Sequence, residues 1–427
     1  MRDTEIERLL RREDGHYLNV IDLIAASNAP VADVRDNRDW GVAQFRSAEG
    51  HVGRKPYAGT GNFDAIERLT ALRARTLFGA EHANVQPVSG SLANLAAYRA
   101  LMRPGDTLLS MSMASGGHLS HGHRKHLVTD LFRVVHYDVD TESGLLRYDE
   151  IREIAERERP KVLVAGYSAY PRAVDFALFA KIAQEVGARL VADISHIAGL
   201  VAAGLHDNPC DQPGTVVTTS VEKTLRGTRG GIVLCSEELR PAVDSAVFPG
   251  LQSSVGLAGL ISLAETLYDA ATPEFRAYQQ RVVGNARALA GHLLDGGLDL
   301  VSGGTDTHLL VIDLTRTGLS GQEAERRLQD LGILSNRNLL PGDPRPPFQA
   351  SGLRLGTPTV TSRGFDADDI RELAGIVLEA VLAERWDSAP AALRARTTAL
   401  RDKPRADDAL ADLAPLAAAA PAVADAR

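Results

Sequence analysis

Six short apolar runs constrain the fold of this chain more than any other feature. They are Thr107–Met111, Phe132–Tyr137, Val162–Ala165, Leu190–Ala192, Val216–Thr219 and Ile232–Cys235. Amphipathic stretches such as Asp149–Arg157 and Phe176–Val186 lie between several of them, and Phe63–Phe78 carries Ile66, Leu69, Leu72 and Leu77 at near-helical spacing. Buried strands alternating with helices predict an α/β domain with a mostly parallel sheet. Past Gly250 the texture changes: helical stretches at 273–294, 321–331 and 366–383 flank the apolar run His308–Leu314 and the segment Gly352–Val360. That order predicts a smaller α+β domain.

The chain has 427 residues, 44% of them hydrophobic, which is enough for a sizeable core and roughly two or three domains. We divide it into an N-terminal segment over 1–60, a large domain over 61–250, a helical connection with a small domain over 251–387, and a tail over 388–427. The tail is rich in Ala, Asp, Arg and Pro, and is expected either to form one loose helix or to be disordered. A net charge of −8 without a long basic run argues against nucleic acid as a partner. No run is long enough to span a membrane. Two cysteines, Cys210 and Cys235, exclude a disulfide scaffold and a cysteine metal site, so no metal is expected. With a charged N-terminus lacking an apolar stretch, the expected location is the cytoplasm.

Two residues suggest the chemistry. Lys223 follows the strand Val216–Thr219 and precedes the turn Arg226-Gly227-Thr228-Arg229-Gly230-Gly231. A lysine taken alone is usually a solvated surface group. Here partial burial and neighbouring arginines lower its pKa and free the amine for a Schiff base. Asp193 ends another apolar strand, and an acid there can keep a pyridine nitrogen protonated; together the pair meets what pyridoxal phosphate requires of a protein. Ser89-Gly90-Ser91 opens a helix, where backbone N–H groups and hydroxyls suit a phosphate, although the tripeptide alone is weak evidence because most are helix caps. His118, after Gly116-Gly117, can stack on a planar ring. Arg354 is a candidate clamp for a carboxylate, with a structural salt bridge as the competing reading.

Taken in order, Ala48-Glu49-Gly50, Asn84-Val85-Gln86-Pro87, Gly116-Gly117-His118-Leu119, Tyr167-Ser168-Ala169-Tyr170, the run from His196 to Gly204, Lys223-Thr224-Leu225, Phe248-Pro249-Gly250 and Ser302–Asp306 resemble the serine hydroxymethyltransferase family. The resemblance runs from about Asn19 to about Leu382. It implies the pyridoxal phosphate fold type I and a set of roles. Lys223 would hold the cofactor, Asp193 would pair with the pyridine nitrogen and His118 would stack on the ring. Ser89, Gly90 and Ser91 would hold the phosphate, with Ser220 and Gly250 also on the cofactor side. Ser168 and His196 would lie near the ring hydroxyl and the substrate. Arg354 would bind the substrate carboxylate, with Tyr57 and Arg229 nearby, and Glu49 would be the acid/base group. The family builds each site from two subunits, so a homodimer is expected, with a tetramer left open and the segment 1–60 packing on the partner.

The chain also departs from the family pattern. Ala26 replaces a substrate-side hydroxyl, Ser47 a tyrosine that reaches the neighbouring subunit's phosphate, and Pro56 one of two tyrosines that pack on folate. Glu222 replaces the histidine before the lysine, and Leu251-Gln252-Ser253-Ser254 replaces a glycine-rich segment. Asn338, matching a folate contact, is retained. With the cofactor residues kept, these changes favour an altered substrate. The expected reaction is cleavage or formation of the Cα–Cβ bond of β-hydroxy-α-amino acids through a glycyl quinonoid, of the threonine aldolase or transaldolase type, taking an amino acid and an aldehyde. Hydroxymethyl transfer with tetrahydrofolate, an open but disfavoured second cofactor, stands close behind. An aminotransferase and a non-catalytic binding protein of the same fold rank lower. Glu222 is expected to raise the pKa of Lys223.

Overall fold

The computed structural model describes residues 4–35 and 38–413. Its centre is a seven-stranded sheet in the order His82–Asn84, Gly231–Cys235, Val216–Ser220, Arg189–Asp193, Val162–Gly166, Thr107–Met111, Arg133–Tyr137. Neighbours from Val216–Ser220 to Arg133–Tyr137 run parallel, and Gly231–Cys235 is antiparallel to both strands beside it. All six apolar runs of the sequence are strands of this sheet.

Side-chain alternation explains why these strands read as unbroken apolar runs. Leu109, Leu163, Ala165 and Ala192 enter one hydrophobic core, and Leu108, Val162, Val164 and Val191 enter another on the opposite face. A strand with a core on each side favours apolar residues on both faces, and its polar ones cluster toward the strand end. The helices between are closed by local chemistry. Asp175 Oδ1 accepts from Leu178 N at 2.8 Å to start Phe176–Val186, and Gly187 ends it at φ 72°, a conformation glycine adopts without strain.

A second core lies under a four-stranded antiparallel sheet in the order Asp299–Leu300, Leu309–Asp313, Gly352–Gly356, Asn336–Asn338. Helices Gly321–Asp330 and Ala367–Leu382 cover it, with the far end of Pro273–Asp295. The segment Gly352–Val360 is split, a strand to Gly356 and then the short helix Pro358–Ser362. Part of the N-terminal segment packs within its own chain: Ile21–Asp22 pairs in parallel with Ile333–Leu334, and Ile21 and Leu23 are buried in this second core. Among the described residues no helix is long and apolar enough to cross a membrane.

The tail differs from its expected looseness. Ala391–Asp402 is a helix whose Leu393, Thr397 and Leu400, at helical spacing, are buried. Its Arg396 pairs with Glu372 at 2.7 Å and with Glu379. Beyond it Arg405 reaches Asp369 at 2.8 Å, both side chains 4% exposed, with the guanidinium 3.9 Å from the centre of the Phe365 ring. Composition misled here because three apolar contacts and two ion-paired sites suffice to dock a helix onto a finished core. Residues 414–427 of the tail lie outside the described residues.

Arg405→Ala removes the buried partner of Asp369 and the contact with Phe365, and leaves the carboxylate with Lys403. It is expected to destabilise the protein by about 1–3 kcal/mol, seen as a drop in the thermal midpoint. Lys403→Ala removes a half-exposed partner of the same Asp369 and is expected to cost under about 1 kcal/mol.

Candidate active site

The parallel strands end on one side of the sheet, and the cavity lies there. Ligands in open α/β sheets bind outside the carboxyl ends of the strands, where backbone groups are free of the ladder. Asp193 and Ser220 are the last residues of their strands, Ser168 lies two residues beyond Gly166, and Gly116–His118 follow Met111. With Ser89, Gly90, Ser91, His196, Lys223, Arg229 and Arg354 they line one cavity of 590 Å³. The sequence-predicted residues it does not bring together are Glu49, Tyr57 and Gly250, none of which lines it.

Asp193 anchors one end. Its Oδ1 accepts from Ser195 N at 2.9 Å and Ser195 Oγ at 2.5 Å, and its Oδ2 accepts from Asn94 Nδ2 at 2.8 Å. His121 Nε2 is 3.1 Å from the same Oδ2, close enough for charge attraction but without the alignment of a good hydrogen bond. Burial opposes ionisation of this carboxyl, yet the neighbouring His121 imidazole more than offsets that and holds the pKa well below the usual carboxylate range. Asn94 is itself fixed, accepting from Thr218 Oγ1 at 2.5 Å and donating to Ser120 Oγ at 2.8 Å. Ser120 Oγ in turn meets His118 Nδ1 at 2.7 Å. Burial, helped by His121 and opposed by Asp193, pushes His118 down to about 4, so the imidazole is neutral at pH 7.

The other end is the N-terminus of helix Gly90–Leu101. Ser89 caps it, Oγ accepting from Leu92 N at 3.3 Å. A Cβ on Gly90 would lie 3.0 Å from Ser220 Cβ, and one on Gly231 would strike the Ser89 carbonyl, so two glycines let three segments meet. Ser220 Oγ is buried there with no hydrogen-bond partner. A helix N-terminus, two hydroxyls and an unpaired buried one suit a phosphate.

Lys223 lies between the two ends. Burial pulls its ammonium below the usual lysine range; Asp193 and Glu222 oppose the shift and Arg354 and Arg229 reinforce it. Glu222 thus acts in the expected upward direction, but burial outweighs it. Glu222 sits 3.8 Å from Arg229, which is largely exposed at the cavity mouth. Arg354 comes from the small sheet: its Nε donates to Asn336 Oδ1 at 3.1 Å and its Nη1 to the Ser168 carbonyl. Burial pushes this guanidinium down to about 10, still charged at pH 7. Its remaining N–H groups are available for a carboxylate.

The serine hydroxymethyltransferase family model matches residues 1–377. The chain belongs to the serine hydroxymethyltransferase family. The fold is accordingly that of pyridoxal phosphate enzymes of fold type I, and the chemistry is serine/glycine-type chemistry on that cofactor. The cavity fits it, since a buried acid for a pyridine nitrogen and an unsatisfied hydroxyl beside a helix N-terminus stand at opposite ends, with an amine of lowered pKa between them.

Glu49, Tyr57 and Gly250 lie elsewhere on this member of the serine hydroxymethyltransferase family. Ser47–Glu49 forms an antiparallel ribbon with Ser254–Gly256, Ser47 facing Gly256 and Glu49 facing Ser254. Altered positions from two distant parts of the sequence meet on that ribbon. Tyr57 is 47% exposed, and partial desolvation, then the adjacent Glu49 carboxylate, raise its phenol pKa. Sequence reasoning missed Asn94, His121, Ser195 and Asn336 as supporting groups. Only spacing could have signalled three of them: Asn94 four residues after Gly90, His121 three after His118, and Ser195 two after Asp193.

His118 supplies a pH prediction. Its folded pKa of about 4 is depressed below the ordinary 6.5. Between those values the unfolded chain binds a proton that the folded protein refuses, so stability is full above 6.5, falls as pH drops toward 4 and levels off below. In thermal melts of cofactor-free protein, His118→Asn is expected to lose less stability than wild type over that window.

Proposed function

We propose that this chain cleaves and forms the Cα–Cβ bond of β-hydroxy-α-amino acids as a threonine aldolase or transaldolase, without requiring tetrahydrofolate. The cavity wall carries the reading. Lys223, Asp193, His118 and Arg354 are kept, while Ala26 and Glu222 line the same cavity where the family pattern has a hydroxyl and a histidine. A methyl at Ala26 makes that wall apolar, which favours a β-carbon bearing a methyl group over the unsubstituted one of serine. Pro56, in place of a folate-packing tyrosine, removes a stacking contribution on the order of 1 kcal/mol.

Bound pyridoxal phosphate supplies an electron sink for bond cleavage at the amino acid's Cα. The chain supplies the rest. Lys223 Nζ, neutral more readily because of burial, is the amine that would hold the cofactor. Asp193, ionised, keeps the pyridine nitrogen protonated. Ser89, Gly90, Ser91 and Ser220 hold the phosphate, and neutral His118 covers the ring without adding charge. Arg354 takes the amino-acid carboxylate and fixes the orientation of the bond to be broken. Ser168 and His196 line the cavity between that carboxylate and the ring. Glu49 removes the β-hydroxyl proton, with His118 the second candidate.

Glu49 and Tyr57 act in this reading across a homodimer, each subunit completing its partner's cavity. Their absence from their own cavity supports this, as does the exposure of Tyr57 beside the Ser47–Glu49 ribbon. Gly250, near the same ribbon, would approach the partner's phosphate.

Three outcomes test the proposal. Lys223→Ala is expected to lose the borohydride-reducible absorbance, and a labelled peptide mapping to another lysine would refute its role. Mixing Lys223→Ala with Glu49→Gln subunits is expected to restore activity that neither has alone, because some hybrid sites contain both intact residues; no recovery after subunit exchange would count against shared sites. L-Threonine cleavage, followed as acetaldehyde and glycine, is expected without folate and faster than L-serine cleavage with it. If serine cleavage is strictly folate-dependent and faster, the retained Asn338 is the better guide and hydroxymethyl transfer is the reaction.

A further inference from the structure

Two histidines meet edge to edge behind the cavity. His196 lines the cavity and His308 is fully buried, their rings 5.5 Å apart between centroids and 23° from parallel. His196 Nδ1 is 3.3 Å from His308 Nε2, and that same His308 nitrogen is 3.1 Å from the Ala25 carbonyl oxygen. His308 Nδ1 is buried with no hydrogen-bond partner.

The neighbours dictate where the protons sit. A carbonyl oxygen only accepts, so the contact with Ala25 requires hydrogen on His308 Nε2. The other tautomer would place an N–H on Nδ1, a buried donor with nothing to receive it, and would set Nε2 and the Ala25 carbonyl against each other as acceptors. Unpaired buried N–H groups are rarer than undersatisfied acceptors. A doubly protonated His308 meets the same objection, and burial pushes its pKa down to about 3. The single Nε2 hydrogen is then shared between the Ala25 oxygen and His196 Nδ1, which must accept. Burial likewise keeps His196 neutral, its pKa well below the usual histidine range. A neutral imidazole holds one proton, and for His196 only Nε2 remains.

We infer that His308 is a positioning residue that locks His196 as its Nε2–H tautomer, so that His196 offers a hydrogen-bond donor to an anionic ligand oxygen in the cavity. The mount is rigid. His308 immediately precedes the strand Leu309–Asp313, whose Val311 lies opposite Arg354, and its carbonyl accepts from Thr357 N at 3.0 Å. Ala25 is pressed against the same strand pair: Gly356 N donates to Leu23 O at 2.7 Å, and a Cβ on Gly356 would come within 2.5 Å of Ala25 Cα. Arg354 and the donor of His196 are thus indexed to one ladder.

The test is nitrogen NMR of histidine-labelled, cofactor-free protein, with His196→Gln used only to assign the signals. Wild type is expected to show His196 protonated on Nε2 and bare on Nδ1. His308→Gln, whose amide can donate to both Ala25 and His196, is expected to keep that pattern. His308→Phe, with His308→Leu as the alternative should it not fold, is expected to shift the proton toward Nδ1. In the holoenzyme the Phe or Leu variant is expected to lose about tenfold in kcat/KM for amino-acid cleavage, the value of one hydrogen bond to a charged group, with Gln recovering most of it. A loss confined to KM for the amino acid identifies the substrate carboxylate as the acceptor, whereas a shifted pH titration of the cofactor absorbance identifies the ring oxygen. Wild-type His196 carrying its proton on Nδ1, or an unchanged tautomer in the variant lacking the donor, would overturn the inference.

Discussion

The buried carboxylate of Asp193 is the interaction on which the rest of the site depends. A charge taken out of water at the end of a central strand needs donors, and here they come from two separate segments, Asn94 on the helix that opens at Gly90 and Ser195 beyond the strand, with the His121 imidazole of a third segment 3.1 Å away. Each donor is in turn held by further groups, so the carboxylate fixes more than its own position. The chain Asp193–Asn94–Ser120–His118 orients the imidazole beside it, and Ser195 Oγ also accepts from Ser220 N at 2.9 Å, tying the acid to the phosphate end. One network therefore sets the distance between the two ends of the cavity.

The large sheet was legible because its strands are apolar on both faces, a pattern that helices of the same length seldom show. Lys223 and Asp193 were legible for a related reason: a charged residue ending such a run has to be explained. Supporting groups were not. Asn94 and Ser195 are ordinary residues at helix and turn positions, and only contact with Asp193 gives them meaning. His308 reads as the start of an apolar strand until its ring is seen against His196. The C-terminal helix escaped for the opposite reason, because its composition suggests a solvated segment and its anchoring contacts, to Glu372, Glu379 and Asp369, lie 17 to 36 residues away in the sequence.

Four of the substitutions relative to the family pattern fall into two places, with Pro56 and Leu251–Ser253 outside both. Ala26 and Glu222 are in the cavity wall, where they alter what a bound amino acid touches. Ser47 and Ser254 are on the small antiparallel ribbon, away from the cavity of their own chain.

The position of Arg354 has a thermodynamic consequence. Its guanidinium is already held by Asn336 and by the Ser168 carbonyl, on opposite sides of the boundary between the two sheets. Folding, rather than the substrate, has removed most of its rotational freedom, and part of the desolvation of the charge is likewise made before any ligand arrives. If Arg354 takes the amino-acid carboxylate, as proposed, binding costs little entropy. Selectivity among amino acids then falls to the far end of the bound molecule, where its side chain would meet Ala26.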